Sequence, residues 1–225
     1  MINKVLILDA GPIINLSMNG LLDIFEGIYK LGITIVITNY VYQEVVDRPT
    51  HIPRFELGAL RIKELIERGI IKFATDIGLA QAEIESETQR WLRIANSSIK
   101  SDNHYIEVVS AAEISCIATS NLLNKKGIEN IIGIDERTTR ILFEKPENLR
   151  ELMASKLHRN ITLNTRELQG TSQFRFIRSS ELVFMAYKKR LIEIKDKRAL
   201  EALLYATKFK GCAVSWEEIE QLKKM

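Results

Sequence analysis

Apolar residues along the chain fall into short continuous runs separated by longer stretches of helical spacing. Lys4–Leu8 (KVLIL) is such a run, closed by Asp9 and then Gly11-Pro12. It is too short for a helix and does not alternate, so it predicts a strand buried on both faces and ending in a turn. Ile33–Ile37 (ITIVI) predicts a second buried strand and Ile70–Ala74 a third, short one. Asn130–Ile134 (NIIGI) predicts a fourth, closed by Asp135. Between them the spacing predicts helices over Ile13–Phe25 and from Tyr40 to about Asp47, the latter capped by Thr38 and Asn39. Pro49 and Pro53 break the pattern before a helix over Leu57–Glu67 closed by Gly69, and Ala80–Ala95 reads as a charged surface helix. His104–Leu123 is apolar almost all round, which predicts a buried helix ended by Gly127. Strands alternating with helices predict an α/β fold, three-layer α/β/α around a central, mostly parallel sheet.

Beyond Pro146 the pattern is mostly helical. Helices are expected over Glu147–His158, from Ser179 or Ser180 to about Ile192, and from Asp196 to Gly211. Arg166–Gln173 reads as a loop and Phe174–Ile177 as a short strand, and Ser215 with Glu218 forms a capping box for a last helix. The expected organisation is a core over residues 1–145 and a helical C-terminal elaboration over 146–225 packed on it.

Composition fits that picture: 225 residues with 46% hydrophobic and 27% charged side chains can bury a sizeable core. The net charge of +3 is unevenly spread. Residues 1–145 carry 16 Lys/Arg against 19 Asp/Glu, and residues 146–225 carry 16 against 10. An acidic body with a basic tail fits either a polyanionic partner or a solvated helix face. Cys116 and Cys212 lie in apolar surroundings without CxxC spacing, which excludes a zinc ribbon and points to buried free thiols in a reducing, cytoplasmic setting. No apolar stretch reaches the ~20 residues that span a membrane, and Asp9 interrupts the apolar run that would resemble a signal peptide. His51, His104 and His158 are scattered, without metal-ligand spacing. No GxGxxG or P-loop appears, and Gly11 stands where an aspartyl-phosphate phosphatase needs its second Asp.

The acidic residues carry the chemistry. Asp9 and Asp135 each directly follow an apolar strand, and in an open parallel sheet ligands bind outside the carboxyl ends of the strands. Glu44 lies one turn into the helix after the second strand, which enters at the same edge. Glu113 lies within the most apolar helix, where an ionised carboxylate is expensive unless something positive holds it. Four carboxylates in one crevice repel each other, and hard divalent cations such as Mg²⁺ or Mn²⁺ remove that penalty. Each acid also has a plainer role: Asp9 in a turn, Glu44 on a solvated face, Asp135 as an N-cap for Glu136–Phe143. Asp102 and Glu107 are alternatives to Glu113 as the third acid, and Glu136 is a spare ligand or a helix-terminal charge.

ILDAGPIINL at 7–16, ITNYVYQEV at 37–45, SAAEISCIA at 110–118 and GIDERTTRIL at 133–142 look like four acidic segments in the order found in one nuclease family. By these segments the chain resembles the PIN-domain family of metal-dependent nucleases. SSELVFMAYKKRLI at 179–192 and ALEALLYATKFKGCAVSWEEIEQL at 199–222 are similar to the closing helices of one branch. The resemblance implies that Asp9, Glu44, Glu113 and Asp135 bind Mg²⁺ or Mn²⁺ and serve hydrolysis of single-stranded RNA. It also implies a homodimer, acting either as the toxin of a toxin–antitoxin pair, with an antitoxin protein as partner, or in RNA processing. The alternative from another class is a non-catalytic module of the same fold that binds RNA or protein. Ala10-Gly11-Pro12 depart from the family's frequent Asn, Ser or Thr after the first Asp, and Asn15 or Ser17 is the candidate for that polar role. No basic-aromatic stripe is visible in the sequence, so nucleic-acid contact is expected from phosphate-directed charge. Arg137 and Arg140 lead, followed by Lys188-Lys189-Arg190 and Lys195-Lys197-Arg198.

Overall fold

From the N-terminus run β1 (Lys4–Leu8), α1 (Ala10–Met18), α2 (Asp23–Lys30), β2 (Thr34–Ile37) and α3 (Asn39–Tyr42), which continues as a π-helical turn over Gln43–Asp47. A 3-10 turn (Pro49–His51) leads into α4 (Pro53–Glu67) and β3 (Ile71–Phe73). Then come α5 (Gln81–Asn96), β4 (Ile99–Ser101), β5 (His104–Tyr105), α6 (Ala111–Lys125) and β6 (Glu129–Gly133). The chain closes with α7 (Arg137–Glu144), α8 (Pro146–Leu157), β7 (Ile161–Leu163), β8 (Phe176–Ile177), α9 (Ser179–Lys188), α10 (Ala199–Phe209) and α11 (Trp216–Lys224). The computed structural model describes residues 4–101, 104–157, 160–164, 168 and 174–225. Asp102, His158 and, apart from Leu168, most of the expected loop Arg166–Gln173 lie outside the described residues.

The main sheet has five strands in the order β3-β2-β1-β6-β8, each neighbouring pair parallel. Val5, Leu6, Ile7 and Leu8 are all buried, as a strand covered on both faces requires. Helices pack on this sheet, α2 against β2 and α6 against β1 and β6, an α/β architecture compatible with three layers. The chain moves outward from β1 to β2 and β3, then returns to place β6 on the other side of β1. The order therefore reverses between β1 and β6, and beyond their carboxyl ends lies the crevice where open sheets bind ligands. β8 pairs with β6, and Leu182, Val183 and Ala186 of α9 join the main core. A second small core gathers Leu204, Cys212, Val214 and Ile219. Cys116 and Cys212 are free and buried. Among the described residues no helix is long and apolar enough to cross a membrane.

Several element boundaries differ from expectation, each for a local reason. The buried helix expected from His104 begins only at Ala111. Ser110 is extended and caps α6 reciprocally with Glu113, while His104 and Tyr105 pair antiparallel with β4. Ile106, Val108 and Val109 pack against the core from the loop between, which is why their apolarity read as helix. The expected helix over Ile13–Phe25 is two helices, divided at Gly20, whose φ of 70° helices do not adopt. Pro53 opens α4 instead of breaking it, since the first helical position needs no N–H. α9 stops at Lys188 rather than near Ile192: Arg190 turns left-handed, at φ 57°, and Leu191 N–H bonds back to Ala186. A separate antiparallel sheet, β5-β4-β7, was not anticipated; its strands are two or three residues long and show no alternation to read.

Candidate functional site

Asp9 is the first residue beyond β1 and the N-cap of α1, its Oδ2 accepting the Gly11 N–H at 3.3 Å. Asp135 lies just beyond β6 and is equally buried. It accepts the Ser179 N–H (2.7 Å) on Oδ1, and the Ser179 hydroxyl (2.6 Å) and the Asn15 amide (3.3 Å) on Oδ2. Glu44 is half-buried on the π-helical turn that continues α3. Glu113 sits in the first turn of α6, where its Oε2 accepts the Ser110 N–H and the Thr139 hydroxyl, both at 2.9 Å. Because α6 runs back against the strands, its N-terminus stands at the same edge as the ends of β1 and β6. All four acids line one open cleft of ≈ 340 Å³, together with Ser110, Glu136, Lys210 and Gly211.

Two local features set this arrangement. A Cβ on Gly11 would lie 3.3 Å from Asp135 Cβ and 3.5 Å from Asp9 Oδ2, so the glycine lets the first turn of α1 pass between the two acids. The Thr38 and Ser115 hydroxyls bond at 2.6 Å, tying the cap of α3 to α6 and so the Glu44 turn to the Glu113 helix. Asn15 bonds Asp135, whereas Ser17 faces Gly58 of α4. Asn15 also donates to Thr207 O at 2.9 Å, which anchors α10 beneath the cleft.

The electrostatics follow from burial and like charge. Burial, then the neighbouring Glu113, pushes the Asp9 carboxyl up to about 7; backbone N–H groups of Ala10 and Gly11 counteract this and Glu44 adds to it. Burial likewise raises Glu113, partly offset by the Ser110 and Thr139 hydrogen bonds, and raises Glu44, partly offset by Arg48. Cys116, buried beneath the site, is pushed well up by burial and by Asp9. Asp9, Glu44 and Glu113 thus all resist ionisation.

Glu113 corrects one expectation: it is not stranded within an apolar helix but lies at its amide-rich end, held by Ser110 and Thr139. Asp135 does not cap the following helix; Glu136 does, accepting the Thr139 N–H at 2.9 Å. Glu107 is exposed in the loop before Ser110 and does not line the cleft. Arg137 is exposed and outside the lining, while Arg140 turns away to bond Ala213 O at 3.3 Å, its pKa lowered by burial and by Arg178. Lys188, Lys189, Arg190, Lys195, Lys197 and Arg198 are exposed on the C-terminal segment. His51 and His104 are exposed and outside the cleft lining. Sequence reading missed Ser179, Thr139 and Lys210. Ser179 was legible only as a helix cap, and nothing local marks Lys210 as a cleft residue.

The donor set is all oxygen, which suits a hard divalent cation. Among the described residues, however, no three His, Cys, Asp or Glu side chains stand close enough together to hold one ion as they lie. The four acids share a cleft but not, as they lie, a common coordination sphere. Comparison with family models, with curated proteins and with solved structures finds no match to this chain.

Proposed function

We propose that the chain is a divalent-metal-dependent endoribonuclease of PIN type that hydrolyses single-stranded RNA. The observation that carries this reading is the meeting of Asp9, Glu44, Glu113 and Asp135 in one cleft at the point where strand order reverses. The raised carboxyls of Asp9, Glu44 and Glu113 support it, because buried acids that resist ionisation create a demand for positive charge. Mg²⁺ or Mn²⁺, when bound, would meet that demand and stabilise the charge that builds on a phosphodiester.

The chain's own groups have distinct parts. Asp135 is the fixed ligand, its orientation set by Ser179 and Asn15. Asp9 is a second buried carboxylate, and the half-buried Glu44 and Glu113 complete the set. Lys210 on the rim offers a cation to the substrate phosphate. A covalent route is disfavoured: burial holds the Cys116 thiol protonated, and the Ser110 hydroxyl is committed to capping α6.

Purified protein with Mn²⁺ should cut a labelled single-stranded RNA, stop on chelation, and lose at least 100-fold in rate on Asp9→Asn, roughly the scale for loss of a group acting on transition-state charge. Equal cutting by Asp9→Asn would trace the activity to a contaminant. Failure to cut with any divalent metal, alongside retained RNA binding, would favour the non-catalytic module.

A further inference from the structure

Large aromatic side chains are normally buried, yet Phe209 is 71% and Trp216 51% exposed. They stand together. Trp216 lies 6.0 Å from Phe209 and 5.3 Å from Tyr205 between ring centroids, forming an aromatic face across α10 and α11. Tyr205 and Phe209 are one helical turn apart, and Trp216 arrives from the next helix, so no stripe shows in the linear sequence.

The chain leads directly from this face to the acidic cleft. Lys210 and Gly211, which immediately follow Phe209, line the cleft, and the Ala213 N–H bonds to the backbone carbonyl of Asp135 at 3.2 Å. Two cations lie beside it: Lys208 Nζ is 4.8 Å from the Trp216 ring centroid while donating to Val214 O, with Lys210 two residues on, and Glu217 lies near enough to Lys208 to feel its charge. The small core of Leu204, Cys212, Val214 and Ile219 holds α10 to α11 without Phe209, so the exposed rings are not needed to join the helices.

From this geometry we infer that Phe209 and Trp216 form a stacking platform for bases of single-stranded RNA next to the bond to be cut. Aromatic faces stack bases regardless of sequence, and the lysines beside them match a phosphate backbone. A duplex, with its bases already stacked on one another, has no free faces to offer. The inference rests on the nuclease reading for its substrate, but binding and cutting are separable.

The chain has two tryptophans, and the other, Trp91, is buried between Phe143 and Phe174. Trp216 therefore reports contact at the platform. The Asp9→Asn protein in chelator, titrated with an eight-nucleotide single-stranded RNA of mixed sequence, should show quenched tryptophan fluorescence, and the same strand annealed to its complement should not quench. Trp216→Phe should lose the signal yet keep affinity within about twofold by anisotropy, since a ring remains. Phe209→Ala with Trp216→Ala should weaken binding roughly tenfold or more, by the usual scale of base stacking. Absence of quenching, or unchanged affinity in the double variant, overturns the platform. So does a wild-type dimer that the double variant turns into a monomer with unchanged RNA affinity, which would assign the face to a second copy. Quenching without Mn²⁺-dependent cutting would keep the platform and remove the nuclease reading; cutting with unchanged affinity in the double variant would do the reverse.

Discussion

Asp9 shows how one side chain carries two roles. It caps α1 through the Gly11 N–H, and its carboxyl is held up at about 7 by burial and by Glu113. An acid whose folded pKa exceeds its unfolded value binds its proton more readily when folded. Stability from this group therefore falls as pH rises between about 4 and about 7, and the cost is complete above that range. The shift corresponds to a cost of roughly 4 kcal/mol at most, by the conversion of pKa to free energy. Asn caps as well as Asp does, so Asp9→Asn removes the charge and keeps the cap. In chelator the variant should melt above wild type at pH 8, with a smaller gain at pH 5, measured by thermal unfolding. Equal melting at both pH values would mean that Asp9 ionises without cost. The sequence revealed this residue because a carboxylate directly after a buried strand has few other places to go. It concealed Ser179 and Lys210, since their relation to the cleft is created by chain segments brought in from far along the sequence.

At the level of elements, α6 separates what pattern can reveal from what it cannot. Its apolarity was legible, but its start was not: the same apolar character continues into Ile106, Val108 and Val109, which pack on the core without being helical. The Ser110–Glu113 capping box decides the boundary, and the continuous apolar pattern around it masks that signal. The box also raises a structural rival for Glu113, namely that it serves only to start α6. Glu113→Gln distinguishes the two, because Gln completes a capping box as Glu does but is a poor ligand for a hard cation. The variant should keep its stability to within about 1 kcal/mol, the scale of a whole cap, and lose Mn²⁺-dependent cleavage. Ser110→Ala should behave oppositely, losing about 1 kcal/mol in chemical denaturation while retaining measurable cutting. Full activity in Glu113→Gln would leave Glu113 a capping residue and no more.

For the whole molecule, strand order was only partly legible. Four buried runs implied a parallel sheet, and Phe174–Ile177 read as a short strand, but its two residues, Phe176–Ile177, join that sheet only through pairing with β6. That strand delivers Ser179 to Asp135, so the C-terminal segment helps to fix a carboxylate of the cleft. Metal binding and the packing of this segment should therefore be linked. A cation held by the folded state alone raises stability by about 2.7 kcal/mol at a hundred times its dissociation constant. Removing a hydrogen bond to a buried charged group costs about 1.5–3 kcal/mol. Ser179→Ala should lower the melting temperature in chelator, since Asp135 loses its 2.6 Å hydroxyl donor while keeping the backbone N–H of residue 179 and the Asn15 amide. It should also shift the Mn²⁺ concentration needed for half of the stabilisation upward, because a loosened Asp135 must be ordered by the ion. Melting curves across a Mn²⁺ titration read both effects at once. If the chelator melting point drops but the Mn²⁺ midpoint stays put, Ser179 braces the fold without orienting the ligand. If neither moves, the bond between α9 and Asp135 contributes nothing to either, and the coupling of the C-terminal segment to the cleft falls with it.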